Sequence, residues 1–204
     1  MSTDDKYTCA EVIQSWGLFR DQSRWAELLE TFTPDGTIAV SWFRGHFHDF
    51  VEQCRSRSAR AGRAKHLLTP SVVRVADDRA LAETSVVILV RQDIKGIVVD
   101  LTSHARFLDR LERRGTWKIV ERAAVYEHDR LDPVEPSLNF TELIERANCV
   151  QYPAPYRYMA FRVAASGGAL ATPVHCDGAP ETEALRARYD AWLVGSMGIE
   201  VART

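Results

Sequence analysis

From residue 66 onward the chain holds four runs rich in β-branched and apolar residues: "HLLTPSVVRVA", "ALAETSVVILVRQ", "GIVVDLTSHARFLDRLERR" and "TWKIVERAAVYEHD". Only "DD", "DIKG" and "RRGT" separate them. Turns this short join neighbouring strands antiparallel, so these runs predict a large sheet of long antiparallel strands. Such a sheet curls and must cover its inner face. The residues before it supply the cover. Val12, Ile13, Trp16 and Phe19 recur at helical spacing, and Trp25, Leu28, Leu29 and Phe32 do so again after a polar break, which predicts two successive amphipathic helices. "TPDG" at 33–36 reads as a turn leading into the short strand "TIAVSWF". "FHDFVEQCRSRSARAG" reads as a third helix, with Phe47, Phe50, Val51 and Cys54 on one stripe and Gly62 as its C-cap.

Helices followed by a curled sheet give an α+β fold: a cone-shaped, curved antiparallel sheet roofed by N-terminal helices. After Asp132 the texture changes, with "DPVEP" and "QYPAPY" breaking the chain and helical patches near 139–147, 156–165 and 181–194. The expected organisation is a cone domain over residues 1–132 and a helical C-terminal arm over 133–204, wrapped on the domain or on a neighbouring subunit.

Composition narrows the function classes. The chain has 204 residues, 46% hydrophobic and 26% charged, enough to bury a real core, and a formal charge of −2 offers no field for nucleic acid or an anionic membrane. The N-terminal "MSTDDKYTCAEV" is acidic and polar, unlike a secretory leader, and no apolar run approaches a membrane span. Cys9, Cys54, Cys149 and Cys176 are scattered, as reduced thiols in a cytoplasm would be. A cytoplasmic setting is the expectation.

Three clusters look functional and have plainer readings. "GHFHDF" at 45–50 lacks the third or fourth convergent ligand that a zinc site needs, so His46 is expected at the mouth of the cone and Asp49 in the first turn of the third helix. No metal is expected. The cations of "RSRSARAGRAK" at 55–65 complement the C-terminal dipole of that helix. "PVHCD" at 173–177 has no partner acid or oxyanion element in view. Asp21, at the break between the first two helices, is a fourth case, since Asp is a favoured N-cap, as is Ser23.

The helix pair containing "RDQSRWAELLETFTPDG", then "WFRGHFHDFVEQC", "KHLL" opening the sheet and "GTWKIVER" in the last strand resemble the nuclear transport factor 2-like superfamily, in its SnoaL-like and scytalone-dehydratase-like branch, over roughly residues 8–130. In scytalone-dehydratase-like enzymes an Asp at the helix break, a few residues before a Trp, orients a His at the start of the first long strand. The resemblance carries these roles onto Asp21 and His66, and implies a cofactor-independent lyase (dehydratase) or isomerase acting on a small cyclic or aromatic hydroxy-carbonyl compound. It also leaves open a non-catalytic binding or carrier protein of the same fold. A homo-oligomer, dimer or trimer, is expected.

The chain departs from the scytalone dehydratase pattern. Arg91 stands where a second His is expected, Arg106 where an Asn is expected, and the tyrosine of the "TIAVSWF" strand is missing, with Val40 there and Trp42 two residues on. Two inward arginines would suit a carboxylate, phenolate or enolate. Strand parity places Asp100, Thr102, His104 and Arg106 on one face, and the expectation is that this face looks inward; the opposite register would bury Val99, Leu101, Ala105 and Phe107. The expected substrate-binding set is Arg91, Arg106, His104, Trp42, Phe43 and His46, with Trp42 and Phe43 as apolar wall.

Overall fold

The structure, a computed structural model, describes residues 3–58 and 64–197. Helix α1 (Thr3–Asp21) and the short α2 (Trp25–Glu30) lead into strand β1 (Phe32–Val40), β2 (Phe43–His46) and helix α3 (Phe47–Ser58). Strands β3 (Ala64–Leu68), β4 (Val72–Ala76), β5 (Arg79–Ile94), β6 (Ile97–Arg114) and β7 (Thr116–Pro133) follow. The arm holds α4 (Leu138–Ala147), two single 3-10 turns, α5 (Arg157–Ala165), the two-residue strand β8 (His175–Cys176) and α6 (Pro180–Met197). The expected Gly62 cap lies outside the described residues.

The sheet runs β2-β1-β7-β6-β5-β3, with β4 also on β5 and β8 also on β7. The long strands pair antiparallel, whereas β1 and β8 join β7 in parallel. "TPDG" is part of β1: between Phe32, opposite Ile119, and Thr37, opposite Glu121, the register shifts, so the stretch bulges and does not end the strand. "HLLTPSVVRVA" splits at Thr69–Pro70–Ser71 into β3 and β4, and Pro70, which cannot donate to a ladder, falls in the gap. At the "DIKG" turn Lys95 and Gly96 both take positive φ (55° and 84°), which suits the right-handed twist of a tight hairpin.

Along β6 it is Val99, Leu101, Ala105 and Phe107 that are buried in the core inside the cone. This reverses the expected register. Putting the other face inward would have desolvated Asp100, His104 and Arg106 while exposing four apolar side chains. Cys9, Ile13 and Trp16 of α1 and Phe47, Phe50, Val51 and Cys54 of α3 close the same core from the helical side.

The arm folds onto the cone. Tyr156, Met159, Ala160 and Phe161 extend the inner core, while Leu185, Tyr189 and Leu193, one turn apart on α6, cover Leu81, Leu108, Ala123 and Val125 on the outer sheet face. Ion pairs border this second core: Arg186 with Glu83 at 2.8 Å, Arg188 and Arg110 with Glu121 at 2.5 and 2.9 Å, and Arg74 with Asp190. Pairs that keep contact with solvent, as these half-buried and exposed ones do, contribute little each, so the apolar stripe holds the helix. Leu185→Ala should therefore destabilise the protein by about 2–3 kcal/mol, read as a lower urea midpoint with an unchanged slope.

Candidate active site

Asp21 is the last residue of α1, and it does not cap α2. The residue that flanks α2 is Arg24, which makes no side-chain capping bond, while Ser23 takes the left-handed turn conformation (φ 58°). Both oxygens of Asp21 instead go to His66: Oδ2 accepts the backbone N–H of His66 at 2.8 Å, and Oδ1 meets the ring Nδ1 at 2.6 Å. Lys65 Nζ stands 3.3 Å from Oδ2 at the outer edge.

The neighbouring elements explain why the two meet. In β3 the alternation turns Ala64, His66 and Leu68 toward the cone. Gly17, one helical turn before Asp21, lies so close to Leu68 that a Cβ there would stand 2.6 Å from Leu68 Cδ1. Residues 17 and 21 of the helix thus face residues 68 and 66 of the strand. The side chains of His66 and Asp21 are only 10% and 5% exposed.

Burial pushes the Asp21 carboxyl up, but the hydrogen bonds and charge of His66 outweigh it, and the net shift is downward. Burial also pulls the His66 imidazole down; the attraction of Asp21 opposes this, the charges of Arg20 and Arg122 reinforce it, and the net shift is again downward. A strong ion pair would raise the histidine, so the two shifts disagree about the pair's charge. Burial decides in favour of a carboxylate and a neutral imidazole near pH 7, with Nδ1–H donating to Asp21. The other ring nitrogen, Nε2, is then the basic one.

Around the imidazole the surface is aromatic and contains one buried ion pair. Trp16 meets His66 edge-on at 5.5 Å and Phe107 at 5.3 Å. Between Trp16 and Phe107 lies the guanidinium of Arg122, its carbon 4.4 and 4.2 Å from the two ring centres. Arg122 Nε and Nη2 donate to Asp109, its cross-strand partner, at 2.6 and 2.8 Å, and both side chains are fully buried. Burial pushes the Asp109 carboxyl up against the opposing charge of Arg122. Arg122 Nη1 and Trp16 Nε1 are buried with no hydrogen-bond partner in the protein. Two clefts, of about 400 Å³ between α4, α5 and the β5–β6 turn and about 130 Å³ beside α6, contain neither dyad residue.

The other expected site residues divide. Phe43 is buried, and Trp42 is half-buried and stacked on Phe50 at 5.2 Å. His46 is exposed at the end of β2. Arg91, Arg106 and His104 are on the outer face, for the reason of register given above. Arg91 pairs with Asp100 at 2.6 and 2.8 Å, Arg106 with Glu83, Glu127 and Asp177, and the His104 ring stacks on His128 at 4.2 Å. "PVHCD" forms β8 at the edge of β7, with His175 Nε2 3.5 Å from Arg44 Nη2. Sequence reading missed Arg122 and Asp109. Their signal was parity: Arg122 alternates with Ala124 and Tyr126, and Asp109 with Ala105 and Phe107, so the apolar-in register carries both inside.

Two measurements test this geometry. The free imidazole titrates near 6.5, and the folded one below it, so between these values the unfolded chain binds more protons. The contribution to stability is complete above about pH 6.5 and is lost as pH falls through the folded value. NMR titration of the His66 Cε1 proton should give a midpoint below 6.5, falling further in Asp21→Asn, which lacks the opposing carboxylate. Asp109→Asn, leaving a buried guanidinium without its counter-charge, should cost about 3–5 kcal/mol in urea unfolding.

Comparison with known proteins agrees with the fold. The chain is similar to an uncharacterised protein from Emericella nidulans, 24% identical in an alignment 161 positions long that covers 74% of this chain and 66% of that one. Its fold is similar to that of LinA (18% identity, TM-score 0.54, 67% of this chain and 97% of the other). It is also similar to that of a scytalone-dehydratase-like protein from Novosphingobium aromaticivorans DSM 12444 (13% identity, TM-score 0.53, 64% and 93%). The model of the SnoaL-like domain family matches residues 1–123, more than half of the chain. With helices, curled sheet and family match in agreement, this chain belongs to the SnoaL-like domain family.

Proposed function

We propose that the protein is a cofactor-independent lyase of the dehydratase type, or an isomerase, acting on a small cyclic or aromatic hydroxy-carbonyl compound. The observation that carries this reading is the double attachment of Asp21 to His66, through the backbone N–H and through ring Nδ1. A structural cap would use one oxygen on a helix end. Here the carboxylate holds both the strand and the ring of a single histidine, which sets the tautomer and leaves Nε2 basic at neutral pH.

In the proposed reaction, Nε2 takes a proton from the carbon next to the substrate carbonyl, and the electron pair moves onto the carbonyl oxygen as an enolate. Asp21 stabilises the imidazolium that forms. Arg122, fixed between two rings by Asp109, stabilises the negative charge, and its unpartnered Nη1 is the donor left for that purpose. The imidazolium then returns its proton. Given to a β-hydroxyl as its C–O bond breaks, the proton leaves as water and a C=C bond remains; given to another carbon, it completes an isomerisation. Phe43 and Trp42 form apolar wall. Arg91, Arg106 and His104 take no part in this reading, because their partners lie on the outer face.

The test is turnover of a panel of cyclic hydroxy-ketones, followed by mass spectrometry in heavy water, where dehydration lowers the mass by one water and isomerisation brings in deuterium. His66→Gln should reduce the rate by about 10²–10⁴-fold while circular dichroism and the thermal midpoint stay near those of the parent. Equal rates in the variant would exclude His66 as the base. Saturable binding with no change in mass would favour a carrier.

A further inference from the structure

The strand register puts His66 at one end of a row across the sheet. His66 of β3 stands opposite Ile88 of β5, Ile88 opposite Ser103 of β6, and Ser103 opposite Asp129 of β7. Cross-strand partners share a face, and here it is the inner one, since Ile88 and Ser103 are buried inside the cone. Helix α5 of the arm is fastened to this face at two strands. Asp129 Oδ2 accepts the backbone N–H of Met159 at 2.7 Å, and Arg162 Nε donates at 2.8 Å to Gln92, which alternates inward with Ile88 and Val90 on β5. Because β6 lies between β5 and β7, the helix spans its inner face, with Met159, Ala160, Phe161 and Val163 buried. Beyond α5 the chain returns to the other edge of the sheet, where Ala171 N–H donates to Ser41 O at 2.9 Å and Arg44 Nη2 donates to Pro173 O at 2.6 Å. The arm therefore closes the face on which His66 lies. The family match, which ends at residue 123, does not reach it.

Three features set this cover apart from a fixed part of the core. The cleft of about 400 Å³ between α4, α5 and the β5–β6 turn, lined by Ile97, Leu143 and Phe161, leaves its seat incompletely filled. Asp129 Oδ1, Arg157 Nε and Ser103 Oγ are buried with no hydrogen-bond partner among the described residues, so the closed position leaves polar groups unsatisfied. Both ends of the helical pair are built to bend or break: Pro133 and Pro136 precede α4, and Gly167, at φ 74° with open space where a Cβ would stand, follows α5.

We propose that α4 and α5 are a lid on the cone, swinging between the Pro133–Pro136 link and Gly167, and that a small molecule reaches Nε2 of His66 only when the lid is raised. The purpose of the opening rests on the reading of His66 as the base; the motion itself does not.

Diethyl pyrocarbonate, which acylates neutral imidazole, measures access without a substrate. In the full chain, peptide mass spectrometry should show His66 modified at least about tenfold more slowly than the exposed His48, because only the open fraction reacts. Asp129→Ala, which loses a hydrogen bond to a charged group, should speed modification of His66 on the order of tenfold. Arg162→Gln should act in the same direction. Leu185→Ala, which loosens α6 on the outer face, should leave it unchanged. In the parent, hydrogen exchange should be faster in the α5 amides than in those of β6. Modification of His66 as fast as His48, an equal acceleration by Leu185→Ala, or α5 amides as protected as those of β6 would overturn the lid. Faster labelling in Asp129→Ala with undiminished turnover in His66→Gln would support the lid and exclude the base, whereas lost turnover in His66→Gln with labelling unchanged in Asp129→Ala would overturn the lid alone.

Discussion

One carboxylate ties the helical roof to the sheet. Asp21 sits at the end of a helix whose Gly17 lies in close contact with β3, and its two oxygens satisfy the backbone and the ring of the same strand residue. The contact places a histidine with a fixed tautomer at the inner wall of the cone. Trp16 meets that histidine edge-on and joins it to the buried Arg122 on one side and to the ring stack through Phe50 to Trp42 on the other.

Polar groups inside such a cone need a reason to be there. A fully buried Arg122–Asp109 pair is weak evidence of stability, because apolar residues of similar volume often do as well or better. Its pairing is good, yet one nitrogen has no protein partner, and two aromatic faces hold the charge in place. A fixed donor near a basic imidazole is what charge development in a reaction would use. Outside the cone the arginines have another purpose: Arg106, Arg110, Arg186 and Arg188 bind sheet and arm together around the apolar stripe of α6. The same residue type therefore stands in two settings, one buried between aromatic faces and one at the border of sheet and arm, separated by the thickness of one sheet.

Much of the fold was legible along the chain. Long β-rich runs with short turns imply antiparallel strands, and the spacing of Val12, Ile13, Trp16 and Phe19 implies a helix with one apolar face, because both patterns are local consequences of backbone geometry. The helices of the arm were legible for the same reason. The bulge in β1 was not, since "TPDG" has turn chemistry, and only the parallel pairing with β7 keeps the chain in the sheet. Nor was the inward face of β6. Alternation there gave two clean stripes, and the choice depended on what lay across the cone.

The sequence by itself determined the element types, their order and the two positions, 21 and 66, at which an acid and an imidazole stand, because periodicity, turn residues and motif spacing are written along one dimension. Tertiary structure decided which arginines are inside. Burial is a property of faces meeting in space: Arg91 and Arg106 found acids on the outer surface, Arg122 was carried inward by the parity of Ala124 and Tyr126, and Arg162 returned from the far end of the chain to a neighbourhood that no local pattern could reveal.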